Sequence, residues 1–129
     1  MVLPEGDRDY LTDKGYKFEE KDYLNGMKGV VIKNLILPEN KFTRPVADLL
    51  IILPPGYPDV PPDMFYFSPP LLLLPANRFA RATEAMMTFG DNVQWQRWSR
   101  HLPPNNWRRQ VDGIHTYLKR VEEALKRAS

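Results

Sequence analysis

The sequence contains no cysteine among its 129 residues and only two histidines, His101 and His115. The absence of thiols excludes disulfide bonds, thiolate zinc sites and cysteine nucleophiles. Two histidines are too few for a histidine-rich metal centre, so we expect no metal site. Any nucleophilic chemistry in this chain must therefore use another kind of side chain.

Long apolar runs and a strong excess of charge are also lacking. The densest aliphatic run covers residues 71–74 only, and the N-terminus lacks the basic and apolar regions of a signal peptide. Lysine and arginine number 18 against 16 acidic residues, a net charge of +2 that predicts neither nucleic acid nor membrane partners. We expect a cytoplasmic chain that folds as a single domain over residues 1–129.

Proline, by contrast, is abundant, and its 13 copies are grouped. Each group marks a place where regular structure stops, because proline lacks a backbone donor. Between the groups, and around a turn signal at Asn25-Gly26, lie segments with the alternating or apolar character of strands. The predicted strands cover residues 16–19, 29–37, 46–53 and 64–67. Their short connections predict a four-stranded antiparallel meander, and the apolar third strand should be covered on both faces.

The C-terminal segment has a helical pattern. Apolar residues recur at intervals of three and four and so share one helical face: Val111, Ile114, Leu118, Val121 and Leu125. Gly113 within this pattern costs about 1 kcal/mol relative to alanine and predicts an irregular first turn. Shorter helical turns are predicted at residues 4–12 and 78–87. Strands followed by a terminal amphipathic helix indicate an α+β domain.

A proline-rich segment at residues 53–62, Leu-Pro-Pro-Gly-Tyr-Pro-Asp-Val-Pro-Pro, follows the third predicted strand. It resembles the turn between the third and fourth strands of the ubiquitin-conjugating enzymes. The residues that carry this resemblance are Tyr57, Pro58, Pro61 and Pro62. Their physical role is structural, since the prolines lock the turn and the tyrosine ring packs it against the sheet.

A second segment, Trp95 to His101, strengthens the resemblance. Ser99 precedes Trp107 by eight positions, which is similar to the spacing between the catalytic cysteine and a tryptophan in those enzymes. The sequence Trp98-Ser99-Arg100-His101 resembles the signature of the prokaryotic family E branch, whose members are typically encoded beside an activating-enzyme homologue and a ubiquitin-like protein. The usual histidine–proline–asparagine element is absent, although Asn77 lies in roughly its place.

The resemblance implies a carrier enzyme in a bacterial ubiquitin-like conjugation pathway, with a ubiquitin-like protein and an activating-enzyme homologue as partners and no cofactor of its own. Ser99 would hold the modifier C-terminus as an oxyester. A serine needs a neighbouring base, and His101 has a suitable side chain at the right spacing in an extended segment. Arg97, Arg100 and Asn77 would bind the modifier tail or stabilise negative charge.

Alternatives remain open at this stage. The chain could be an inactive member of the same fold that binds a ubiquitin-like protein or scaffolds its activating enzyme. Ser99 could cap a turn or be an engineered substitute for cysteine, and His101 could bond to backbone. The tryptophans, which we expect to anchor the core, could instead stack single-stranded nucleic acid. The leucines at 71–74 are either buried or a docking patch.

Overall fold

The computed structural model describes residues 2–23, 26–101 and 106–129. Asn25, the first half of the predicted Asn25-Gly26 turn, and Pro103-Pro104 lie outside the described residues. Two helices and six strands follow in chain order: α1 (Glu5–Asp13), β1 (Lys17–Asp22), β2 (Lys28–Ile36), β3 (Val46–Leu53), β4 (Phe65–Ser68), β5 (Met86–Met87), β6 (Trp95–Trp98) and α2 (Ile114–Arg127). Neither helix has the length and apolar character that crossing a membrane requires.

The strands form one antiparallel sheet in the order β1-β2-β3-β4-β6-β5. The predicted α+β class and the meander of the first four strands are confirmed. The number of strands is wrong, because the sheet has six strands and not four. β6 joins the sheet beside β4, and the two-residue β5 then forms the edge. Both added strands are too short to show a clear alternation in sequence.

The predicted helical turns at residues 78–87 are also wrong. This segment bridges Leu73 through Arg78, bends at Ala82 with a φ of +58°, and ends in β5. The buried Thr83 donates its hydroxyl to the carbonyl of Ala80 at 2.8 Å, so a local turn competes with the helix. Pairing of the segment with β6 then outweighs its helical spacing.

β3 is covered on both faces, as its apolar sequence predicts. On one face, side chains such as Leu49 and Ile51 belong to the main core beneath the two helices. On the other face, Leu50 packs in a second cluster with Tyr66 and Trp95. The segment between β5 and β6 closes that second cluster and contributes Phe89, whose ring centroid lies 5.1 Å from that of Tyr66.

α2 confirms the predicted amphipathic helix, but it starts later than the pattern suggested. Val111 lies before the helix and is 53% exposed, so its place on the apolar face is wrong. Gly113 is the N-cap residue and not part of an irregular first turn. A β-carbon at this position would lie 2.7 Å from Oδ1 of Asp7, so the close approach of α1 to α2 requires glycine here.

The N-terminus is tied to the sheet through Glu20 in β1. Its carboxylate accepts hydrogen bonds from the backbone N–H groups of Val2 and Leu3 and from the guanidinium of Arg8. The Arg8 hydrogen bond and then the backbone bonds lower the pKa of Glu20 to about 2. α1 therefore has an ionic attachment as well as its buried Leu11.

We expect Glu20→Gln to destabilise the protein at neutral pH by about 1 kcal/mol, because a pair that is 22% exposed is partly screened by water. The folded-state pKa is depressed, so this stabilisation is present above pH about 4.5 and disappears as the pH falls towards 2. Urea unfolding of both proteins from pH 7 to pH 2 tests this. Glu39→Gln, at an exposed position, is the control. A difference that stays constant over this pH range would contradict it.

Candidate active site

Ser99 is positioned by the tryptophan before it. Trp98, at the end of β6, is fully buried and stacks on Phe65 with ring centroids 5.8 Å apart. Its indole N–H donates to Oε1 of Gln96 at 3.0 Å, so the ring is held by this hydrogen bond as well as by the stacking on Phe65. Ser99 is the first residue beyond the strand, half-buried, and lines a cavity between the sheet and α2.

Gln96 is a structural residue that sequence reasoning missed. Its buried amide pairs with the backbone of Leu71 in both directions, accepting from the N–H at 2.8 Å and donating to the carbonyl at 3.0 Å. This pairing satisfies both backbone groups of Leu71, which lies outside the strands. It also fixes the leucine run, in which Leu71 and Leu73 are buried while Leu74 is 44% exposed.

Ser99, His101 and Asp63 form a hydrogen-bonded chain. Oγ of Ser99 lies 3.4 Å from Nε2 of His101, and Nδ1 of His101 lies 2.8 Å from Oδ1 of Asp63. A carboxylate can only accept, so Asp63 selects the tautomer with a proton on Nδ1 and leaves Nε2 free to accept the serine proton. A nucleophile, its base and an orienting acid require an arrangement of this kind.

Asp63 is a residue of the candidate site that the sequence analysis did not identify. It lies 38 positions before His101 and directly after the proline-rich segment. Tyr117 of α2 donates its hydroxyl to the Asp63 carbonyl at 3.3 Å, and Trp107 donates its indole N–H to the carbonyl of Pro58 at 2.8 Å. These two bonds hold the chain at Pro58 and at Asp63, and so they fix the position of the Asp63 carboxylate.

The tyrosine of the proline-rich segment is bonded to a buried acid. Tyr57 donates its hydroxyl to Oδ2 of Asp7, whose Oδ1 accepts the backbone N–H of Ile114 at 3.3 Å. Asp7 is only 7% exposed. Burial, and then the hydrogen bond to Asp7, raise the pKa of the Tyr57 hydroxyl well above its usual range. One carboxylate thus joins α1, the proline-rich turn and the start of α2.

The cavity that contains Ser99 and His101 has a volume of about 550 Å³. Arg100 lines it as well: its guanidinium lies over the Trp98 ring, 5.1 Å from the centroid, and donates to the Ser99 carbonyl at 3.2 Å. Burial, and then the charge of Arg81, lower the pKa of Arg100. The group nonetheless remains a cation at neutral pH, because an arginine pKa starts near 12.5.

A comparison with protein families places the whole chain. The model of the prokaryotic E2 family E matches residues 3–128. The chain belongs to this family. It is therefore an E2-like protein of a ubiquitin-like conjugation pathway, as the resemblance implied. The chain matches none of the curated proteins and none of the solved structures with which it was compared.

Two of the predicted site residues of this family E protein do not line the cavity. Arg97 pairs in register with Tyr66 and so belongs to the opposite face of the sheet, with the second cluster. Asn77 is exposed in the turn between Leu73 and Arg78 and has a φ of +55°. Of the three predicted residues for tail binding or charge stabilisation, the structure brings only Arg100 to Ser99.

The three tryptophans anchor the fold in three places. Trp95 is 3% exposed in the second cluster, Trp98 is in the main core, and Trp107 is half-buried against the proline-rich turn. Two of the three rings are thus unavailable for stacking on bases. Within residues 2–23, 26–101 and 106–129, the structure contains no group of three or more histidine or acidic side chains that could hold a metal.

We expect Tyr57→Phe to lower the free energy of unfolding by about 1–3 kcal/mol, because a buried carboxylate oxygen of Asp7 loses its donor. Thermal or chemical denaturation measures this loss. Tyr10→Phe is a matched control, since no hydrogen bond of the Tyr10 hydroxyl occurs in the described part of the chain. Equal stability of the two variants would show that the bond to Asp7 is not a structural anchor.

Proposed function

We propose that this family E protein carries the C-terminus of a ubiquitin-like modifier as an oxyester on Ser99. The observation that supports this most is the double hydrogen bonding of His101, to Ser99 on one ring nitrogen and to Asp63 on the other. A serine hydroxyl is a poor nucleophile at neutral pH unless a base removes its proton. A solely structural serine would not need that arrangement.

Loading follows the chemistry of acyl transfer. Oγ of Ser99 attacks the activated C-terminal carbonyl carbon of the modifier while Nε2 of His101 takes the hydroxyl proton. The bond from that carbon to the leaving group of the activating partner then breaks, and His101 protonates the departing atom. Asp63 stabilises the imidazolium that exists between these steps.

Transfer reverses the roles of the same groups. An acceptor amine attacks the ester carbonyl and loses a proton to Nε2 of His101. The bond from the carbonyl carbon to Oγ breaks, and Ser99 regains its proton. The net result is an amide on the acceptor and a free hydroxyl on Ser99, with no cofactor consumed by this protein.

Negative charge on the attacked carbonyl needs a donor, and two nearby backbone groups are already engaged. The N–H of Ser99 donates to the Ala82 carbonyl at 3.2 Å, and the N–H of Arg100 donates to the Trp98 carbonyl at 3.0 Å. The Arg100 guanidinium already donates to the Ser99 carbonyl, and it is the cation that would stabilise this negative charge. Stabilisation of this charge by Arg100 requires no contribution from Asn77.

The side chains of His101 and Asp63 are each 63% exposed. An incoming peptide tail can therefore reach the nucleophile without a large rearrangement. The 3.4 Å separation of Ser99 and His101 is long for a hydrogen bond, as is common in catalytic groups before substrate binds. Exposure and geometry together suit a site that is completed by the modifier.

The central test mixes this protein with the activating enzyme, modifier and ATP of its own pathway. We expect an adduct that hydroxylamine or mild base cleaves and that reducing agents do not. Ser99→Ala should abolish the adduct, and Ser99→Cys should convert it into a thioester that reducing agents cleave. Ser68→Ala, at the end of β4, is the control serine and should load normally.

The same experiment distinguishes the rival function. An inactive family member would bind the modifier or the activating enzyme but form no adduct, with the same affinity in Ser99→Ala. An adduct that persists in Ser99→Ala would show that another residue carries the acyl group. Either result contradicts the proposal.

A second test concerns the base and its partner. We expect His101→Gln to slow oxyester formation by about 100-fold or more and Asp63→Asn by about tenfold or more, because each removes part of the proton relay. Asp59→Asn, an exposed acid in the same loop, should load at the rate of the unchanged protein. Single-turnover loading rates measure this, and equal rates for the Asp63 and Asp59 variants would exclude Asp63 from the relay.

A further inference from the structure

The cavity beside Ser99 has a strong excess of positive charge. Among its lining residues, four are arginines and one, Glu123, has an acidic side chain. The arginines come from three places in the fold, which are the segment after the 73–78 turn, the end of β6 and the exposed side of α2. They are Arg81, Arg100, Arg120 and Arg127.

None of the four guanidinium groups forms an ion pair with a carboxylate in the described part of the chain. Elsewhere the protein does pair cations, for example Arg8 with Glu20 and Lys33 with Asp48. Arg120 donates to the carbonyl of Asn106, but its Nε is buried and has no partner among the described residues. These cations therefore line one cavity without an ion pair to an acidic side chain in the described part of the chain.

Arg100 and Arg120 are half-buried, whereas Arg81 and Arg127 are exposed. Like charges around one cavity repel one another, and the fold gains no ion pair in return. The lowered pKa of Arg100 reflects this, because the charge of Arg81 contributes to it after burial. An anion in the cavity would relieve the repulsion and satisfy the free donors. Such an arrangement is typical of sites that bind anionic ligands.

We propose that this cavity binds a small phosphate-bearing molecule through Arg81, Arg120 and Arg127. The planar guanidinium fork matches the oxygens of a phosphoryl group, and several arginines against one glutamate suit a ligand with two or more negative charges. A single carboxylate would leave most of the charge uncompensated. A volume of about 550 Å³ accommodates a ligand the size of a mononucleotide.

This binding does not depend on the acyl-carrier function. The ligand would bind the free protein, in which Ser99 is not acylated. Binding can be measured on the protein alone, without modifier or activating enzyme, so a negative result here says nothing about the oxyester and the reverse also holds.

The test is calorimetric titration of the full chain with pyrophosphate and, separately, with adenosine monophosphate at low ionic strength. We expect saturable binding of one molecule that weakens as salt is raised. Arg81→Gln and Arg120→Gln should each weaken it at least tenfold. Lys119→Gln removes one charge from the exposed face of the same helix and should change it less than twofold. Circular dichroism confirms that each variant is folded.

Three results would overturn the proposal. The first is the absence of saturable heat with both probes. The second is an equal loss of affinity in Lys119→Gln and in the cavity variants, which would indicate diffuse attraction to net charge. The third is binding of a short glutamate peptide more tightly than either phosphate probe, which would identify a groove for acidic peptides instead.

Discussion

The site depends on one buried carboxylate that lies away from it. Asp7 accepts hydrogen bonds from the Tyr57 hydroxyl and from the first backbone N–H of α2, so it joins three elements that are distant in sequence. A buried acid is costly unless its oxygens have donors, and the positive end of a helix dipole adds to its stabilisation. With Asp7 in place, the proline-rich turn and α2 have fixed positions. Asp63 directly follows the turn and α2 lines the cavity, so the proposed relay and the proposed anion site both depend on this contact.

If Ser99 is the acyl carrier, as proposed, the change from sulfur to oxygen would explain why the site has a histidine and an aspartate that a thiol would not need. A cysteine is partly ionised near neutral pH and attacks without a dedicated base, whereas a serine hydroxyl requires one. On the proposed function, His101 supplies the base and Asp63 orients it. The proline-rich turn then gains a second use. Besides its packing through Tyr57, it delivers the carboxylate that completes the relay.

How far the sequence predicted this structure depended on whether a feature was local. β3 is an apolar run and α2 has a clear helical periodicity, and the sequence placed both to within a few residues. The sequence analysis missed β6 because the strand has only four residues. Its alternating side chains face two covered sides of the sheet, so the sequence reads like a loop held by buried tryptophans. The sequence analysis missed Asp63 for a different reason, since no local pattern connects it with a histidine 38 positions away. Arg97 and Arg100 were equal candidates in sequence, and only the sheet register places them on different sides.

The hydrogen-bonded groups of the candidate site are exposed, whereas the residues that support them are buried. The side chains of His101 and Asp63 are largely in water, while Trp98 and Tyr117 that position them are buried. Water competes for the hydrogen bonds of an exposed relay and weakens its electrostatic effect. On the proposed function, a modifier tail that covers the site would remove that water and strengthen the relay only when substrate is present. The rigid scaffold keeps the groups in position, and the incoming chain supplies the low-dielectric surroundings that the free protein lacks.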